Sequence, residues 1–138
     1  MTVTVRIAWP TAALWQNSSH STFTKARAIK RARMEGWAAA LDAGIKAMPK
    51  ADAYRLDFTF TPPKRPGGQH DATNMRPACK AHIDGIADAM GVNDRTFRIG
   101  NERVLPAMGA GSVEITVVPT PADTWQHIAD AARAMVQG

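Results

Sequence analysis

The stretch Gln69–Asp94, QHDATNMRPACKAHIDGIADAMGVND, decides how the chain is read. Met75, Ala78, Cys79, His82, Ile83, Ile86 and Met90 recur at three- and four-residue steps, which predicts a helix over about Asn74–Met90 with one buried face. Asp71, Thr73 and Asn74 are residue types that satisfy the free N–H groups of a helix start. Pro77 is expected in the first turn, where no intrahelical donor is lost, and Gly91 falls where a left-handed C-terminal cap belongs. Lys80 and Asp84 are four apart and form a surface ion pair on this reading. His82 lies on the buried face and is read as a core histidine. All of this is structural. Yet Asp71 and Asp94 also bracket the helix, one at either end, with Lys80 between them. Phosphodiester hydrolysis needs carboxylates from separate segments to hold divalent ions against the phosphate. Magnesium takes few carboxylates and keeps its waters, and a lysine can stabilise developing charge. Spacing alone leaves capping and catalysis both open.

Working outward, Val3, Val5, Ile7 and Trp9 alternate with polar or small residues and predict a first strand ended by Pro10. A polar loop with embedded aromatics follows, holding Trp15, Asn17, His20 and Phe23. Trp15 and Phe23 are expected to pack beneath it, with stacking on opened bases as the other use. From about Lys25 to Met48 the chain is helical in character, with Met34, Trp37, Leu41, Gly44/Ile45 and Met48 as the expected buried stripe. The cluster Lys25, Arg27, Lys30, Arg31 and Arg33 does not respect that stripe. Its turns either project beyond the core or lie against something negative. Trp9, Trp15, Trp37 and Trp125 are assigned to packing.

Tyr54, Leu56, Phe58 and Phe60 predict a second strand, followed by a Pro/Gly-rich turn carrying Lys64 and Arg65. A third strand is expected through Phe97 and Ile99, and a fourth through Val113, Ile115 and Val117. Pro119 and Pro121 should stop the sheet, and Asp123 or Thr124 could cap a terminal helix through Val136. The order β-α-β-α-β-β-α predicts an α/β (α+β) domain, a mixed sheet of about four strands packed by helices. Residues 1–118 form its body and 119–138 a helical extension of the same domain.

The chain has 138 residues, 45% hydrophobic and 21% charged, which suits one globular domain and argues against disorder. No run approaches the ~20 apolar residues of a membrane span. The single Cys79 excludes a disulfide framework, and with no apolar leader block a cytoplasmic location is expected. Net charge is +5, but residues 1–50 carry eight Lys or Arg against Glu35 and Asp42, so this segment alone holds +6. That asymmetry fits a polyanionic partner as well as a solvated basic face.

The segment resembles the RusA family of Holliday junction resolvases of bacteria and their prophages. That family opens a helix on Asp-x-Asp-Asn, followed by a lysine, an "Ile-Asp-small" turn and a further aspartate; here these read DATN at 71–74, KAHIDG at 80–85, and Asp94. VTVRIAWP at 3–10 is similar to the family's opening strand, and the resemblance covers about residues 3–118. It implies a homodimeric, RusA-like nuclease that binds branched DNA at four-way junctions. The implied cofactor is Mg2+ or Mn2+, with no small-molecule cofactor and no membrane contact. Asp71 and Asp94 would then be metal ligands and catalytic, with Lys80 supporting the reaction. Lys25, Arg27, Lys30, Arg31, Arg33, Lys64, Arg65 and Arg76 would contact DNA. The chain departs from the family at Thr73, which stands where the second motif acid belongs. A hydroxyl is a weak ligand beside a carboxylate, and His70 is the candidate to supply a nitrogen, more naturally to manganese. A weakened resolvase and an inactive junction-binding relative both follow from that departure. A basic assembly domain with no nucleic-acid role is the third class.

Overall fold

The computed structural model describes residues 1–15, 19–64, 72–120 and 135, with the backbone alone at 72–74. The first strand, β1 (Val3–Ala8), buries Val3, Val5 and Ile7 and exposes the residues between them, as strand periodicity requires. A long helix, α1 (Thr22–Asp42), starts at Ser21, whose side chain accepts from the Thr24 N–H at 3.2 Å. The second strand, β2 (Ala53–Thr61), lies between β3 (Phe97–Val104), which runs parallel to it, and β4 (Ser112–Thr120), which runs antiparallel. The sheet order is β1-β4-β2-β3, a four-stranded mixed α/β arrangement in which β1 and β3 are the edges. Val5, Leu56, Ile115 and Val117 point from its covered face into a core completed by Ile86, Cys79 and Ile45.

The second helical region is not continuous. It divides into α2 (Ala72–Ala78) and α3 (Lys80–Met90), with Cys79 between them at φ −92, ψ 3. The helix begins earlier than Asn74, so Pro77 falls inside α2 and beyond its first turn. A ring without N–H in the interior removes a hydrogen bond and crowds the preceding turn, so the helix breaks just after it. The expected buried face survives the break: Met75, Ala78, Cys79, His82, Ile83 and Ile86 are all buried. Gly91 closes α3 in the left-handed region at φ 70, as the sequence predicts.

α1 stops at Asp42, short of the expected Met48, and of the expected stripe only Ile45 and Met48 are fully buried, in and after the 3-10 turn Ile45–Ala47 that follows the helix. Met34 and Trp37 are 62% and 46% exposed, and α1 buries Ala32, Gly36 and Ala40 instead. Backbone proximity is the cause. A methyl on Gly36 would run into the backbone of His82, and one on Gly85 would meet the backbone of Arg33 and Trp37. Two helices that touch at glycines leave no room for large side chains at the crossing, so Met34 and Trp37 turn outward. Phe23, expected beneath the loop, is likewise exposed, whereas Trp15 packs on Trp9 with ring centroids 5.8 Å apart. The first turns of α1 do project beyond the core.

Two further expectations concern β4. It does not end before Pro119 but runs through it to Thr120, with Pro119 opposite Tyr54. β1 begins at Val3, opposite Val117, so at Pro119 the strand has no β1 neighbour on that side and a residue lacking an N–H is tolerated. The terminal helix expected from Asp123 or Thr124, together with Trp125, lies outside the described residues.

Replacing Gly36 or Gly85 by Ala forces the two helix backbones apart. Overpacking of this kind costs about 1–3 kcal/mol or more. Urea unfolding should show that loss for both variants; a midpoint unchanged in either would mean that the crossing is looser than described.

Candidate functional site

The helix break places Lys80 at the first position of α3, on its solvent side. Its Nζ donates to Asp84 Oδ1 at 2.7 Å, the pair expected from the spacing, and also to Asp94 Oδ2 at 3.0 Å. Asp94 opens the short 3-10 turn Asp94–Thr96 that leads into β3, and the Asn93 side chain caps that turn by accepting from the Arg95 N–H. One ammonium therefore ties the first two turns of α3 to the turn that leads into the edge strand. The hydrogen bond from Lys80 holds the Asp94 carboxyl below the usual carboxylate range, so it is ionised at neutral pH. The two carboxylates in turn raise Lys80 above an ordinary lysine. All three groups are partly solvated, so their pairing adds little to stability.

Asp84 is the residue that sequence reasoning undervalued. With the second helical region taken as one regular helix, the sequence puts it over two turns from the Asp71 end. In the fold it shares Lys80 with Asp94, and both line a cleft of about 330 Å³ with Arg33, Asp88 and Asn93. Arg33 crosses from α1 to grip both oxygens of Asp88 at 2.6 and 2.8 Å, which keeps that carboxyl below its ordinary range. The signal was present as Lys80, Asp84 and Asp88 at successive four-residue steps on one helix face.

The structure brings Lys80 and Asp94 together. Asp71, His70 and Arg65 lie outside the described residues, as does the Thr73 side chain. Among the described residues no three His, Cys, Asp or Glu side chains gather as ligands. Ionised Asp94 and its neighbour Asp84 offer hard oxygen donors that suit magnesium, which takes few carboxylates. On the β3 side Arg76 donates to Glu102 at 2.7 Å, closing a smaller recess shared with Lys80 and Asp94.

The basic residues of α1 do not form one stripe. Arg33 is committed to Asp88, and Arg31 lies 3.3 Å from Glu35. Arg27 sits over the Phe23 ring, while Lys30 flanks the exposed Met34 and Trp37. Lys25 is half-buried, and Lys64 is exposed at the end of the turn after β2.

His82 is buried, as expected of a core histidine, but it is not fully satisfied. Its Nε2 lies 3.5 Å from Glu35 Oε2, and its Nδ1 has no hydrogen-bond partner among the described residues. Burial lowers its pKa, with Glu35 acting in the opposite sense. Burial likewise pushes the Cys79 thiol up to about 12, which makes it inert as a nucleophile.

No protein-family model matches the chain. It is 34% identical over 93 residues to an uncharacterized protein of Xylella fastidiosa (strain Temecula1 / ATCC 700964). The aligned stretch covers 66% of this chain and 60% of that protein, so the chain spans about three fifths of its relative. No helix among the described residues is long and apolar enough to cross a membrane.

A histidine whose folded pKa lies below the ordinary 6.5 stays neutral in the fold while the unfolded chain takes up its proton. Its contribution is complete above that value and is lost as pH falls below it toward the folded pKa. The urea midpoint should therefore drop as pH falls below the ordinary 6.5 of a histidine. In His82→Gln that slope should flatten; an equal slope in the variant would place the titrating group elsewhere.

Proposed function

We propose that the chain is a divalent-metal-dependent endonuclease that cuts branched DNA at four-way junctions, acting as a homodimer in the bacterial cytoplasm. The observation that carries this reading is the single ammonium of Lys80 shared by Asp84 and Asp94, within the segment that resembles the RusA resolvases. Asp71 and Asp94 would hold the ion, and Asp84 is added as a positioning residue for Lys80. A bound magnesium or manganese ion would neutralise the scissile phosphate and make hydroxide available near neutral pH. The protein's own groups do the rest. Asp94, already ionised, keeps one carboxylate oxygen clear of Lys80. Lys80 would stabilise charge that develops on the leaving oxygen, with Asp84 restraining its side chain. Cutting two strands related by a two-fold axis suits an isologous pair of sites.

A second reading is favoured by one residue. With Thr73 in place of the motif's second acid, the site carries one negative charge fewer, and a junction-binding protein without cleavage follows.

A synthetic four-way junction incubated with the protein and either metal separates the two. Cutting should require the metal and fall by about two orders of magnitude or more in Asp94→Asn and Asp71→Asn. Thr73→Asp should cut faster than the natural chain. Tight, salt-sensitive junction binding without cutting in either metal would establish the second reading, and equal affinity for branched and linear duplex would remove both.

A further inference from the structure

A second cleft, of about 710 Å³, lies on the other side of α1, between that helix and the turn Trp9–Leu14 that follows β1. Its volume falls in the range of sites that hold a small organic molecule. Trp9, Pro10 and Leu14 supply apolar walls, with Ala28 on the helix side. Ala32 and His82, both buried, form the floor beside Glu35. Exposed Arg27 and Arg31, one helical turn apart, mark the rim. The cleft is thus apolar along its sides, hydrogen-bonding at its base and cationic at its mouth.

We propose that this cleft receives one unpaired nucleotide of the DNA strand, base inward and phosphate outward. The proposal rests on the nucleic-acid reading given above and adds a recognition site to it. Glu35 can accept from ring or exocyclic N–H groups of a base, since its contacts to Arg31 and His82 are long at 3.3 and 3.5 Å. The His82 ring borders the floor, but its Nδ1, which has no hydrogen-bond partner among the described residues, is shielded from solvent, so the ring offers the base a surface and the hydrogen bonding falls to Glu35. Arg27 and Arg31, one helical turn apart at the mouth, offer charged donors to a phosphate once they leave Phe23 and Glu35, contacts that are solvent-exposed and weak. A base that turns its polar edge to Glu35 at the floor cannot pair through that edge at the same time. A base held here must therefore be single-stranded or swung out of the stack, as bases at a branch point are free to be. His82 follows Lys80 by two residues on α3, so the occupant would bear on the helix that carries the proposed reaction.

The test uses the full chain, 15N-labelled and free of metal. It is titrated with each deoxynucleoside 5′-monophosphate, the matching nucleosides, inorganic phosphate, a single-stranded hexanucleotide and a short duplex. Amide shifts should cluster at Trp9–Leu14 and Thr24–Glu35. The hexanucleotide should bind more tightly than the monophosphates, and nucleosides about tenfold more weakly than their monophosphates. Arg31→Ala should erase that tenfold difference. Ala28→Leu, which narrows the cleft, should abolish the shifts while leaving the rest of the spectrum native. The proposal is overturned by any of three results: no shifts up to about 10 mM nucleotide, equal effects from phosphate and nucleotide, or a duplex that competes as well as a single strand. Because neither metal nor cutting is needed, shifts in a protein that cuts no junction would sink the nuclease reading and leave the cleft standing. The converse result would do the reverse.

Discussion

The contact on which the remaining architecture depends is the close crossing of α1 and α3, made at Gly36 and Gly85 with backbone against backbone. It determines which faces of both helices are free. Because the crossing admits only Ala32, Gly36 and Ala40 from α1, the large residues of that helix are displaced to solvent. Because α3 is drawn in so closely, His82 is buried against α1 rather than solvated, while Lys80, Asp84 and Asp88 remain on the outer face. The same approach lets Arg33 reach across to Asp88. Both clefts flank this crossing, one on either side of α1, and each takes residues from both helices.

The edge of the sheet supplies the second constraint. β3 pairs in parallel with β2, and the register slips between Leu56↔Ile99 and Phe58↔Glu102, leaving an extra residue on β3. Asp57 stabilises that bulge by accepting from the Asn101 N–H at 2.8 Å, while Arg55 holds Asp57 from the same face. Gly100 is required there, since a side chain would collide with Arg55 and Asp57. Bulges re-aim the chain at sheet edges. This one lies just beyond Asp94, whose backbone precedes β3, and Glu102 after the bulge meets Arg76 of α2. Sheet edge and helix pair are thus tied together on both sides of Lys80.

Much of this was legible in the sequence. Alternation revealed β1, β2 and β4, which each bury one face, whereas edge strand β3 buries no residue fully and was read only from Phe97 and Ile99; the three-and-four spacing of Met75 through Ile86 gave the buried face of the second helical region even though its continuity was misjudged. What was not legible depended on three-dimensional proximity. Hydrophobicity assigns Met34 and Trp37 to the core, but a glycine crossing excludes them, and nothing local to α1 announces its partner's glycine 49 positions later at Gly85. Pro77 was misplaced by assuming a later helix start. Asp84 was undervalued because its distance was reckoned along one helix, whereas Lys80 bridges it to a carboxylate ten residues further on.

The charge balance around Lys80 bears on the chemistry more than the number of acids does. An ammonium between two carboxylates leaves the trio with a net charge of −1, less than two free aspartates would carry. A divalent ion approaching Asp94 would meet repulsion from that ammonium unless it could shift toward Asp84, which the 2.7 Å hydrogen bond already favours over the 3.0 Å one. Asp84 would then hold the positive charge close to the phosphate without letting it compete for the metal's ligand. Removing an acid at Thr73 and retaining one at Asp84 are therefore not equivalent changes. On the proposed reading, the first would alter how strongly an ion is held, the second where the lysine rests beside it.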